Sequence, residues 1–264
     1  MKILLGCDPE VFVKRDGVFH SAHNLIPGDK KNPFKVDKGA VQIDGMALEF
    51  NIEPAESCEE FVTNISTVYN ILKSMVPEYQ VFAVPVADFT PEIMKAQPAA
   101  ALELGCDPDF NAWTQSENVK PNGDRPMRTA SGHIHVGWTD GQDKNDSQHQ
   151  ARCNAVIKQL DFYLGLPSLF VDKDERRRSM YGKAGCLRYK PYGVEYRTLS
   201  NFWLNSKELM AWVYNNTILG MNSLFNGNML YEKYGDIQAI INQSDRDAAL
   251  SIINTESIPF PKGV

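Results

Sequence analysis

Glu195 and Arg197 lie two residues apart in Gly193-Val194-Glu195-Tyr196-Arg197-Thr198-Leu199, a stretch that alternates in the manner of a β-strand. Side chains two apart on a strand share a face, so an acid and a base stand side by side while Val194, Tyr196 and Thr198 take the other face. Such a pair can ligate a cation and hold a phosphate oxygen; a salt-bridged surface strand has the same pattern. His133 and His135, two of the five histidines, share a face in Ser131-Gly132-His133-Ile134-His135-Val136-Gly137 by the same rule. Neutral imidazoles placed so are partners for a metal or a phosphate, whereas a lone histidine more often belongs to the core.

Carboxylates recur on strand faces nearer the N-terminus. Between Ile3 and Val13, Asp8 and Glu10 have one parity, in a strand that Pro9 confines to an edge or a bulge; the alternative is an Asp8-Pro9 turn with Glu10 solvated. From Ala47 to Glu53, Leu48, Phe50 and Ile52 take one face while Glu49, Asn51 and Glu53 take the other. Acid-bearing faces with apolar reverse sides describe a sheet with helices on one side and a cleft on the other.

The elements that must position these residues follow from local signals. Arg15-Asp16-Gly17 and Asp44-Gly45, each between alternating runs, predict hairpins. Ser57 and Glu60 form a capping box, and Phe61, Ile65, Val68, Leu72 and Met75 recur at helical spacing, which predicts a helix over Cys58 to Met75 on the apolar side of the sheet. Tyr79 to Val86 reads as one further strand. Residues 87–128 hold five prolines and little periodicity, as binding loops and lids do. Within them Gly105-Cys106-Asp107-Pro108-Asp109-Phe110 echoes Gly6-Cys7-Asp8-Pro9-Glu10-Val11-Phe12, a reuse of one turn chemistry. Further helices are predicted over Ser147 to Gly165, Lys207 to Met221 and Gly235 to Asn254.

A chain of 264 residues can bury a sizeable core, and its net charge of -6 argues against general nucleic-acid binding, so a local basic cluster points to a small anionic ligand. The five scattered cysteines indicate neither a disulfide framework nor a zinc knuckle and fit a reducing cytoplasm. MKILLGCDPEVF is too weakly apolar for a signal peptide, and no run approaches membrane-spanning length.

Gly6-x-Asp8-Pro9-Glu10-x-Phe12, Glu49-Phe50-Asn51, Ser131-Gly132-His133-x-His135 and Arg188 followed by Glu195-x-Arg197 stand in the order seen in glutamine-synthetase-like ligases. The chain resembles the carboxylate-amine ligase (amidoligase) branch of that superfamily, and within it phage proteins described as carboxylate-amine ligase type 2. The resemblance implies an α+β fold in which a curved antiparallel sheet, helices packed on its outer face, lines a funnel for ATP and magnesium or manganese. It implies a single domain over residues 1–264, with 87–128 as a loop or lid and 206–264 as a C-terminal helical part. It assigns Asp8, Glu10, Glu49, His133 and Glu195 to metal, His135 to the ATP phosphates, and Arg188, Arg197 and Arg178 to the transferring phosphate. The chain departs from the family in having Asp8 where glutamate is usual, and its middle loop does not align.

A carboxylate and an amine do not condense in water, so an acyl phosphate made from ATP is the expected intermediate. Glu53, Asp107 or Asp109 would accept the proton of the amine. With no glycine-rich phosphate loop, nucleotide binding would rest on arginine, histidine and metal. The expected substrates are a small-molecule or peptide carboxylate and an amine, in the cytoplasm, or the host cytoplasm for a phage protein. Two other readings stand: a metal-dependent hydrolase built on His133, His135 and the carboxylates, and a non-catalytic nucleotide or metal binder of the same fold.

Overall fold

The computed structural model describes residues 2–102, 109–119 and 126–261. In chain order its elements are β1 (Leu4–Cys7), β2 (Glu10–Arg15), β3 (Val18–His20), β4 (Phe34–Val36), β5 (Gly39–Asp44), β6 (Ala47–Ile52) and α1 (Cys58–Met75). Then come β7 (Gln80–Phe82), β8 (Val86–Asp88), α2 (Pro91–Lys95), α3 (Ala99–Leu102), β9 (Phe110–Asn111), β10 (Ser116–Glu117), β11 (Met127–Thr129) and β12 (Ile134–Gly137). The C-terminal half runs α4 (Ser147–Leu160), a π-helical turn (Asp161–Gly165), α5 (Leu166–Ser168), α6 (Glu175–Met180), β13 (Cys186–Lys190) and β14 (Gly193–Tyr196). A 3-10 turn (Asn201–Asn205) leads to α7 (Lys207–Phe225), α8 (Leu230–Tyr234), α9 (Gln238–Asn242) and α10 (Arg246–Thr255).

The fold is α+β, and its named strands pair antiparallel. They divide between two principal sheets, ordered β1-β12-β14-β13-β9-β10 and β3-β2-β6-β5-β4, with β7 on β2 and a separate β8-β11 ribbon. Ile3 to Val13, predicted as one interrupted strand, is therefore two: β1 belongs to the first sheet and β2 to the second. Asp8-Pro9 is the crossing between them, because proline has no amide hydrogen for a ladder.

Local chemistry explains most of the remaining elements. Asp16 and Gly17 both take positive φ, 52° and 80°, which suits the twist of the β2-β3 hairpin. Ser57 accepts a hydrogen bond from the Glu60 amide at 3.2 Å, and the Glu60 carboxylate accepts from the Glu56 amide at 2.8 Å, closing the start of α1. Leu48, Phe50 and Ile52 of β6 pack with Phe61, Ile65, Val68 and Leu72 of α1 in the main core, which also takes Val194 and Tyr196 of β14 and side chains of α4 and α7. Each such side chain, fully buried, contributes roughly 1.5–3 kcal/mol. The helices thus cover the apolar faces and leave the acid-bearing faces to a cleft.

Two predicted elements are corrected. Tyr79 to Val86 is not one strand, because β7 pairs with β2 whereas β8 pairs with β11. Gly235 to Asn254 is not one helix: Ser244 turns back at φ 56°, and Asp245 caps a new helix by accepting from the Ala248 amide at 3.0 Å. The described part of 87–128 carries β8, α2, α3, β9 and β10 as well as loop. Among the described residues no helix is long and apolar enough to cross a membrane.

Candidate active site

Two rungs of the sheets carry the candidate residues. In the first sheet Gly6 stands opposite His135, His135 opposite Glu195, and Glu195 opposite Arg188. In the second, Glu10 stands opposite Glu49 and Glu49 opposite Gln42. The Asp8-Pro9 crossing brings the rungs together: the Asp8 amide donates to His133 O at 3.4 Å and the Glu10 amide to Ser131 O at 2.9 Å. Ser131 returns its own amide to Glu10 Oε2 at 2.8 Å. Gly132 is required here by close approach, since a Cβ on it would lie 2.4 Å from Ser200 O and from Trp203 Nε1.

The result is a cleft of about 310 Å³ with Asp8, Glu10, Glu49, His133, Arg188 and Arg197 on its wall. Lys30, Asp44 and Arg128 also line it, as do Phe12, Met46 and Ala101. Glu195 is fully buried beneath the cleft and is met by Arg197 in a close ion pair, by Lys190 Nζ at 2.8 Å and by Arg188 at 3.7 Å. Arg197 also donates to Asp109 at 2.6 Å. His133 Nδ1 lies 3.3 Å from Asp8, 3.4 Å from Glu195 and 3.3 Å from Arg197, and His135 Nε2 lies 3.2 Å from Asp8.

Two groups of donors can each close on one cation: Asp8, His135 and Glu195, and Glu10, Asp44 and Glu49. Oxygen donors with a single imidazole suit magnesium or manganese. Asp8 Oδ1 and His135 Nε2 are buried without a well-directed hydrogen bond among the described residues and suit a cation's ligand atoms, whereas Glu195 Oε2 is met by Lys190 Nζ at 2.8 Å. The electrostatics differ between the groups. Burial disfavours charge on Asp8, but the adjacent His135 and His133 hold its carboxyl well below the usual range. Burial opposes charge on Glu195 too, yet Arg197 beside it keeps it ionised. Glu10 is pushed up to about 7 by burial and then by the Asp44 charge, and Glu49 rises well above the usual range through burial and the charges of Asp8, Asp44 and Glu10. Burial and Arg197 lower His133; at His135 Asp8 overcomes the effect of burial and raises it.

The structure thus gathers Asp8, Glu10, Glu49, His133, His135, Arg188, Glu195 and Arg197. It does not bring in Glu53, whose side chain is 63% exposed and 3.9 Å from Lys38, because β6 ends at Ile52 and the chain leaves the face that carries Glu49. Arg178 points away, donating to Ser244 at 2.9 Å. Its neighbour Arg177 is the one aimed at this region, donating to Thr198 O at 2.9 Å and Ser131 Oγ at 3.1 Å, since neighbours on a helix point about 100° apart. Asp107 lies outside the described residues; Asp109, beside Arg197, is the described alternative. Sequence reasoning missed Asp44, taken only as a turn residue, and Lys190, which shares the parity of Arg188 on β13. It also missed Tyr192, which bonds to His135 from the β13-β14 turn, where no periodicity marks it.

Residues 128–222 match the family model described as phage phiEco32-like COOH.NH2 ligase-type 2, which bears out the family resemblance carried by the motifs. The matched stretch includes His133, His135, Arg188, Glu195 and Arg197, while Asp8, Glu10 and Glu49 precede it. A search of curated proteins finds no match to the chain.

Proposed function

We propose that the protein is an ATP-dependent carboxylate-amine ligase that makes an amide through an acyl phosphate. The observation that carries this reading is the meeting of Asp8, Glu10, Asp44 and Glu49, members of two cation-capable donor groups, with Arg188 and Arg197 in one cleft. Asp8, His135 and Glu195 would hold one divalent cation and Glu10, Asp44 and Glu49 a second. Bound there, the cations would neutralise phosphate oxygens and the charge of the transferring phosphoryl group.

The chain's own residues have distinct tasks. Arg188 and Arg197 face the cleft and hold phosphoryl oxygens, placing the γ-phosphorus for attack by the substrate carboxylate. ADP leaves with the bonding electrons, and a mixed anhydride remains. The amine attacks its carbonyl carbon, the C–O bond to phosphate breaks, and an amide and inorganic phosphate result. Of the described acids considered for the amine proton, Asp109 is the one that meets a cleft arginine, accepting from Arg197 at 2.6 Å. His133, kept neutral by burial and Arg197, accepts hydrogen bonds without adding charge. The substrates are a small or peptide carboxylate and an amine, joined in the cytoplasm.

Phosphate release from ATP with magnesium, across carboxylates with and without amino acids and polyamines, tests the proposal. Release that needs both an acid and an amine supports it. Turnover without nucleotide would establish hydrolysis instead, and no release with no ATP binding by calorimetry would leave only a binder.

A further inference from the structure

Beside the cleft lies a second, larger cavity, of about 620 Å³ against about 310 Å³. The two adjoin, because Lys30, Asp44, Gly45 and Ala101 line both. His23, Ile26, Lys31 and Ala100 line the second alone. The chemistry of the cleft gives this space no task.

Its wall is a fixed structure. Residues 22–32 run against the β5-β6 hairpin, the Ala22 amide donating to Met46 O at 3.0 Å and the Ile43 amide to Gly28 O at 3.2 Å. Asp29 closes the turn, its Oδ1 accepting from the amides of Lys31 at 2.7 Å and Asn32 at 2.9 Å. Ala100 and Ala101 of α3 add side chains of a single carbon, which leaves the room open.

Charge at the join decides which of the two substrates belongs there. Lys30 Nζ meets Asp44 at 2.8 Å, and Asp44 is a member of the second donor group. A carboxylate seated at that group has an ammonium at its side, and the rest of the molecule extends past Lys30 to where Lys31 supplies another. The carboxylates of this lining are already engaged, Asp29 by the amides of its turn and Asp44 by Lys30. A cationic amine would meet two like charges, an arrangement that specific sites avoid.

We infer that the second cavity seats the acid substrate, and that this acid is of peptide size and carries at least one carboxylate besides the reacting one. The inference rests on the ligase reading and narrows it. Volume sets the size, since cavities of about 300–1,000 Å³ enclose ligands much larger than one amino acid. Lys30 stands beside the reacting end, and Lys31 recognises the distal carboxylate.

The test is calorimetry on the full chain without nucleotide, using triglutamate, trialanine and glutamate as probes. Triglutamate should bind about 10-fold more tightly than either of the others, trialanine lacking the side-chain charges and glutamate the length. Lys31→Glu reverses one charge and Ala100→Phe fills the space; both positions are exposed and outside the cleft lining, so the fold should persist. Each variant should weaken triglutamate by about 10-fold while ATP affinity stays unchanged. Equal binding of the three probes, no heat with triglutamate, or triglutamate binding that neither variant alters would overturn the inference. Absence of phosphate release with every acid and amine would defeat the ligase reading instead, and the nucleotide-free titrations would still decide what the cavity binds.

Discussion

At the scale of single residues, the cleft depends on charges that compensate one another. Arg197→Ala removes one of three cations around Glu195 and leaves Lys190 and Arg188 in place, so the buried carboxylate stays paired. Turnover should fall by about 10²- to 10³-fold, the cost of losing one preorganised donor to transition-state charge, with an unchanged far-ultraviolet circular dichroism spectrum. Retained activity would remove Arg197 from the machinery. The two neighbouring arginines of α6 separate a site role from a supporting one. Arg177→Ala strips a buried cation from Thr198 O, Ser131 and the field of Glu10, and should cost on the order of 3 kcal/mol in denaturant unfolding together with turnover. Arg178→Ala loses its bond to Ser244, neither residue lining the cleft, and turnover per folded molecule should persist.

At the scale of elements, β14 has a second buried acid behind it. Asp161, at the start of the π-helical turn, accepts from Trp113 Nε1 at 2.7 Å and from the Tyr196 hydroxyl at 2.9 Å. Burial outweighs those donors and pushes its carboxyl up to about 7. The folded state therefore holds this proton more tightly than the unfolded chain does. Its stabilisation is full below the unfolded value near 4 and is lost as pH rises through about 7, with a slope approaching 1.4 kcal/mol per pH unit between. Asp161→Asn should flatten that segment of a stability-against-pH curve from urea titrations; an unchanged curve would assign the slope to other groups. Elements of this kind mark the limit of what the chain discloses locally. The faces of β6, β12 and β14 were legible because a period of two needs only neighbouring residues, and α1 because Ser57 and Glu60 cap it locally. The Asp161 network joins residues far apart in sequence, and the split of Tyr79 to Val86 depends on which partner strand arrives. Asp44 was hidden by its own turn signal, and three consecutive arginines gave no phase until α6 set one.

At the scale of the molecule, cations and folding should be linked. The first donor group draws on the first sheet and the crossing and the second on strands of the second sheet, and the unfolded chain has no such assembly. A ligand that binds only the folded state adds about 2.7 kcal/mol at 100 times its dissociation constant. Manganese without nucleotide should therefore raise the melting temperature, and Asp8→Asn should abolish most of the rise. An unchanged melting temperature in the unaltered protein at saturating manganese would count against the donor groups as cation sites.

Pro9 alone separates the residue that serves the first donor group from one that serves the second. The interval between the two is therefore measured out in covalent bonds, with one torsion fixed by a ring, and not in packing contacts that mutation or breathing can relax. The backbone acts as a ruler laid across the cleft. An entrance that worked by parting the sheets at this point would have to stretch it. A residue inserted beside Pro9 would misset the site more severely than any exchange of side chains along it.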